Sequence, residues 1–189
     1  LISFIGKGEL MNLVAYPLET EQHKVKEEKR LTEKQITEIL KRFEKRSIKK
    51  DGTRTLEGYC YRALIRMLLY CSIKPSDLFN LKMEDFYAYE SMGYVIIRNE
   101  NEKIRKKVEI PNDILHFINE YLEKRTEYGQ QGVYLFQSRL QKKLENRAVL
   151  DLISRVGKEC KIENLNINAL RYSYWYLLSK KNTLNENLK

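Results

Sequence analysis

The sequence predicts a mostly α-helical domain with a small antiparallel β-sheet at one edge. Three observations lead there. Apolar residues recur at helical spacing over most of the chain. One stretch, "GYVIIRNENEKIRKKVEIP", instead alternates around a polar turn. The order of segments is three helices, a hairpin, then three more helices, which fits helices segregated from a small sheet.

The elements follow in chain order. Residues 1–12, "LISFIGKGELMN", read as the end of a preceding helix closed by Gly6 or Gly8. Residues 13–30 contain Pro17 and the charge run "HKVKEEKR", the composition of a linker. A domain spanning 31–189 then begins. Thr32 and Gln35 have capping-box spacing ahead of the stripe Ile36, Ile39, Leu40 and Phe43. "KKDGTR" is a turn, and "GYCYRALIRMLLYC" (58–71) is apolar nearly all round, as a central buried helix must be. "KPSDLFNLKMEDF" (74–86) places Pro75 at the first position of a helix, with Leu78 and Leu81 inward. After the hairpin, 113–125 forms a helix through Ile114, Leu115, Ile118, Tyr121 and Leu122. "VYLF" (133–136) is extended. Asn146 caps a helix carrying Val149, Leu152, Ile153 and Val156, and Asn166 caps the last. There Leu170, Tyr174, Leu177 and Leu178 make one stripe, with Arg171 beside it.

Composition narrows the function. Lys plus Arg number 35 against 26 Asp plus Glu, a net charge of +9 mixed along the chain together with 13 tyrosines. A folded basic domain of this kind points to a polyanion, most simply double-stranded DNA. Cys60, Cys71 and Cys160 form no CxxC pair, and His23 and His116 do not complete metal-ligand spacing with them, so neither metal nor cofactor is expected. Buried free thiols fit a reducing, cytoplasmic setting. The sequence holds no apolar run of membrane-spanning length and shows no signal-peptide pattern.

Four blocks together resemble the catalytic domain of the tyrosine recombinases, the phage integrase family. They are "LLYCSIKPSDLFNLKMEDF", "YVIIRNENEKIRKKVEIP", "VYLFQSRLQKKLENRAVLDLISRVGKECKI" and "INALRYSYWYLL", in family order over nearly the whole chain. "FIGKGELMNLVAYPLE" resembles the tail of that family's preceding core-binding domain and its linker. The resemblance implies a chemistry of transesterification. A tyrosine attacks a DNA phosphate, two arginines clamp its non-bridging oxygens, a histidine adds a hydrogen bond, and a hairpin lysine protonates the leaving oxygen. Charge grows on the phosphoryl oxygens in the transition state, and fixed forked donors meet it best.

Carried over residue by residue, the first arginine falls on Lys74, which keeps the charge and loses the planar fork. The hairpin lysine falls on or near Lys103, although an ungapped alignment puts Asn101 there. The histidine falls on Asn168, which donates hydrogen bonds without carrying a proton. Arg171 matches the second arginine. The family's nucleophilic tyrosine belongs to a helix beyond the last residue given, and Tyr172, Tyr174 and Tyr176 read as packing residues. No catalytic residue is therefore expected to be competent. Lys74, Lys103, Arg105, Lys106, Asn168 and Arg171 remain as a phosphate-binding set. Arg139, Lys142, Lys143 and Arg147 join them near a helix N-terminus. The expected protein binds double-stranded DNA, potentially as a homo-oligomer, as a phage or mobile-element repressor. The alternative is an active recombinase seen without its nucleophile; a protein-interaction module that has left DNA behind is a third class.

Overall fold

The structure is a computed structural model that describes residues 30–71, 73–89, 92–163 and 165–173. The preceding-helix and linker segments before residue 30, and Tyr174, Tyr176, Leu177 and Leu178, lie outside the described residues.

Helix α1 (Glu33–Arg46) starts as its sequence requires. The Thr32 hydroxyl accepts from the Gln35 N–H, and the Gln35 side chain accepts from the Thr32 N–H. Ile36, Ile39 and Phe43 are its buried stripe. Helix α2 (Leu56–Tyr70) is capped by Thr55 and buries Ala63, Leu64, Ile65, Met67, Leu68 and Leu69 completely. Each such aliphatic side chain contributes about 1.5–3 kcal/mol when withdrawn from water. Helix α2 is thus the axis of the core, with α1 on one side and α4 (Asn112–Glu127) on another.

Gly58 lets α1 and α2 approach. A Cβ there would stand 2.4 Å from Ser47 Cβ and 2.8 Å from its Cα. The contact is reinforced by charge. The Glu44 carboxylate takes Arg54 at 3.0 Å, Arg62 at 2.8 Å and Arg66 at 2.8 Å, and Arg62 also reaches Glu120 of α4 at 2.6 Å. The Arg66 guanidinium lies 3.7 Å from the centre of the Phe117 ring.

The segment after α2 departs from the expected helix. Helix α3 is only Pro75–Asn80, with Pro75 in its first turn, and a 3-10 turn follows at Met83–Asp85. A strand absent from the sequence reading comes next. The sheet has three antiparallel strands in the order β1 (Phe86–Ala88), β2 (Gly93–Arg98), β3 (Ile104–Ile110). Val95 pairs with Val108 and Ile97 with Lys106, and the register shifts at Ile97/Arg98. Val95, Ile97, Val108 and Ile110 cover the core from one face. On the opposite face Tyr94 stacks on Tyr87 at 4.8 Å, with the Lys107 ammonium 3.9 Å from the Tyr94 ring centre.

Helix α5 (Asn146–Glu159) also begins differently from expectation. Asn146 is its first helical residue and Glu145 holds the cap position without a side-chain hydrogen bond. "VYLF" forms an isolated bridge, Tyr134 to Lys82, rather than a strand. The chain is helical at 167–173, where the Asn166 side chain accepts from the Ala169 N–H at 2.9 Å as a cap should. Ser173 Oγ accepts from the Leu31 N–H at 2.7 Å and so joins the first described residues to the last.

Candidate nucleic-acid interface

Pro75 fixes the position of Lys74. The Lys74 backbone is extended (φ −63°, ψ 141°) immediately before α3, and its side chain is exposed. Three residues on, the Asp77 carboxylate pairs with the Arg105 guanidinium of β3. This pair ties the start of α3 to the sheet.

Lys106 is the cation that points inward. Strand alternation puts it on the same face as Val108 and Ile110, and it is half-buried. Burial lowers its pKa, and the charges of Arg171, Arg105 and Lys74 lower it further, against the pull of Asp77. Lys106 therefore shares one local field with Lys74, Arg105 and Arg171, brought from three separate segments.

Arg171 is 7% exposed and not a solvated flank. Among the described residues its Nε is buried with no hydrogen-bond partner, and a buried donor left unsatisfied is costly. The guanidinium lies 5.1 Å from the Tyr172 ring centre, so the adjacent tyrosine does not point wholly elsewhere on the helix. Asn168, one turn earlier, is exposed. The set can hold an anion by charge and by the forked donors of Arg171.

Lys103 is exposed in the hairpin turn. The turn is built by backbone and Asn99. The Asn99 N–H donates to the Lys103 carbonyl at 2.9 Å, and Asn99 Oδ1 accepts from the N–H groups of Asn101 at 3.0 Å and Lys103 at 2.9 Å. Lys82 to Glu102 at 3.1 Å and Arg98 to Asp85 at 2.6 Å brace the hairpin against the body. Sequence reasoning named Lys103 as the principal hairpin cation and Lys106 as an accessory. Period-two alternation from Val108 and Ile110 was the signal that ranks Lys106 as inward. Asp77 was missed because an acid in the first turn of a helix is common for dipole reasons alone.

Arg139 of the second expected group is fixed at the start of α2. Arg139 pairs with Glu57 of the first turn of α2 at 2.7 Å, whereas Lys74 follows the other end of that helix. A 15-residue helix is roughly 22 Å long, and Arg139 and Lys74 lie toward its opposite ends. Lys142, Lys143 and Arg147 are exposed, Arg147 in the first turn of α5.

The thiols take no part. Burial pushes Cys60 and Cys71 up to about 12, which keeps them protonated. Among the described residues no group of three His, Cys, Asp or Glu side chains could hold a metal ion. Among them also, no helix is long and apolar enough to cross a membrane.

Solved structures similar to this fold include the XerH site-specific recombinase bound to difH substrate in a pre-cleavage complex. It matches with 19% identity and a TM-score of 0.66, over 81% of this chain and 43% of that one. The XerA recombinase matches with 19% identity and a TM-score of 0.60, over 84% and 50%. A lambda integrase dimer bound to a COC′ core site matches with 19% identity and a TM-score of 0.51, over 80% and 52%. The chain thus spans about half, or less, of the length of these proteins. No curated protein matches it. The family model described as "Phage integrase family" matches residues 29–183, most of the chain, and the mostly helical fold with its three-stranded antiparallel sheet agrees with it: the chain belongs to the phage integrase family.

Proposed function

We propose that this chain is the DNA-binding part of a sequence-specific regulator, on a recombinase fold whose phosphate-transfer centre has lost its power to cleave. The observation that carries this reading is the composition of the centre. The charges of Lys74 and Arg171 both act on Lys106, while the resemblance puts Lys74 and Asn168 at the positions of the family's first arginine and its histidine. Charge is enough to bind a phosphate. Losing one preorganised donor costs roughly 100- to 1000-fold in rate, and two such changes fall in one clamp. Lys103, Arg105 and the Arg139, Lys142, Lys143 and Arg147 group extend the backbone-binding surface, and phosphate contacts set register. A phage or mobile-element repressor, acting in the cytoplasm as a homo-oligomer on its operator, fits these features.

The experiment is a binding assay of the full-length protein on fragments of its own genome, followed by denaturing gels. Retarded duplex with no covalent adduct is the expected result. A protein–DNA adduct that survives denaturation, or relaxation of supercoiled plasmid, would overturn the loss of cleavage and restore a recombinase. Failure to retard any duplex at low salt would instead favour a protein-interaction module.

A further inference from the structure

We propose that the hairpin tip at residues 138–142 is a wedge that inserts Leu140 between base pairs of bound duplex DNA. The proposal rests on the DNA-binding reading above and adds the manner of contact.

The tip is built and braced. Ser138 N–H donates to the Lys142 carbonyl at 2.9 Å and Gln141 N–H to the Ser138 carbonyl at 2.9 Å. Gln141 sits at φ 57°, the left-handed residue that closes a three-residue hairpin after a type I turn. A non-glycine side chain there is strained, and Gln141 is held by accepting the Gln131 N–H at 3.0 Å through Oε1. At the base, Gln137 Nε2 donates to Gln130 Oε1 at 2.8 Å and Arg139 pairs with Glu57. The tip therefore does not fold back to bury Leu140.

Leu140 is 78% exposed, more than any other large apolar side chain among the described residues. A single exposed leucine is ordinary by itself. This one stands on a fixed loop, with Arg139, Lys142 and Lys143 exposed around it. Those cations make an apolar protein surface a poor partner. A duplex offers what both features need, two anionic rails flanking an apolar stack of bases. Leucine wedges with basic flanks can partly unstack one base step and kink the helix, and the added surface contact offsets the unstacking. The wedge also makes deformability of the step a source of sequence preference that needs no hydrogen bond to a base.

The test uses the 189-residue chain and the duplex it recovers from a random-sequence pool, with 2-aminopurine placed at successive positions. Wild type should raise fluorescence at one step. Leu140→Ala should abolish that rise and weaken binding about tenfold, the scale of losing one buried leucine side chain, with the salt slope unchanged. Leu140→Phe should keep the rise. Lys142→Ala with Lys143→Ala should leave the unstacked step in place and lower the salt slope by about 2. Equal fluorescence and affinity for wild type and Leu140→Ala would overturn the wedge and leave DNA binding standing. An effect of Leu140→Ala on self-association alone would reassign the tip to a protein contact. Recovery of no duplex at all would overturn the wedge together with the reading beneath it. Leu140 buries little within its own domain, so all variants should melt as wild type does.

Discussion

Arg171 sets a conflict at the scale of one residue. Among the described residues its Nε is buried without a hydrogen-bond partner, and the half-buried Lys106 stands within reach of its charge. Such a group opposes folding unless an anion arrives to satisfy it. Strain of this kind is expected where a ligand completes the structure. Arg171→Met keeps the volume and removes the buried charge. It should leave the melting temperature unchanged or raised, while weakening duplex binding about 10- to 100-fold, the range of a charge-assisted hydrogen bond. A fall in both would make Arg171 a structural residue. Lys106 argues in the same direction, because a bound phosphate would oppose the neighbouring cations that now lower its pKa.

Elements with strong local chemistry were legible in the sequence, and those that depend on their neighbours were not. The Thr32–Gln35 box and the all-round apolar α2 are local facts, and the structure holds both. Strand β1 is three residues long, too short for a period to show, and exists because β2 pairs with it. Asn146 has a capping side chain, yet the cap position fell on Glu145. In the candidate site the sequence named Lys106 without showing that it faces inward. The hairpin turn and its register shift decide that, and both are products of pairing. The α1–α2 contact at Gly58 was hidden for the same reason. Alanine in a helix interior ordinarily gains about 0.5–1 kcal/mol over glycine. Here the added methyl meets Ser47, including its carbonyl oxygen at 2.7 Å. Overpacking against backbone costs typically about 1–3 kcal/mol, so Gly58→Ala should destabilise on balance. A urea melt showing a more stable variant would mean that α1 yields freely at Ser47.

At the scale of the molecule, charge does two separate jobs. On the proposed function the net +9 and the exposed cations meet a DNA backbone, so log affinity should fall linearly with log salt, with a slope of about −5 for six backbone contacts. A slope near zero would remove DNA as the partner. The inner job belongs to Glu44, which joins α1 to α2 through Arg54, Arg62 and Arg66, while Arg62 carries the link to α4. Burial pushes the Glu44 carboxyl up, but the hydrogen bond from Arg62 and the three guanidinium charges pull it down, and the net direction is down from 4.5. A carboxyl depressed in the folded state stabilises fully above its unfolded pKa and loses that contribution as pH falls through the folded one. Glu44→Gln should therefore cost on the order of 2–4 kcal/mol at pH 7, since it leaves three guanidinium groups short of their anion. The gap from wild type should narrow as pH falls through the depressed folded pKa of Glu44, where the wild-type carboxyl takes up a proton. Urea melts at pH 7 and pH 3 measure both quantities. A gap that stays constant between them would show that Glu44 acts through packing and hydrogen-bond shape, and that its charge does not hold the three helices together.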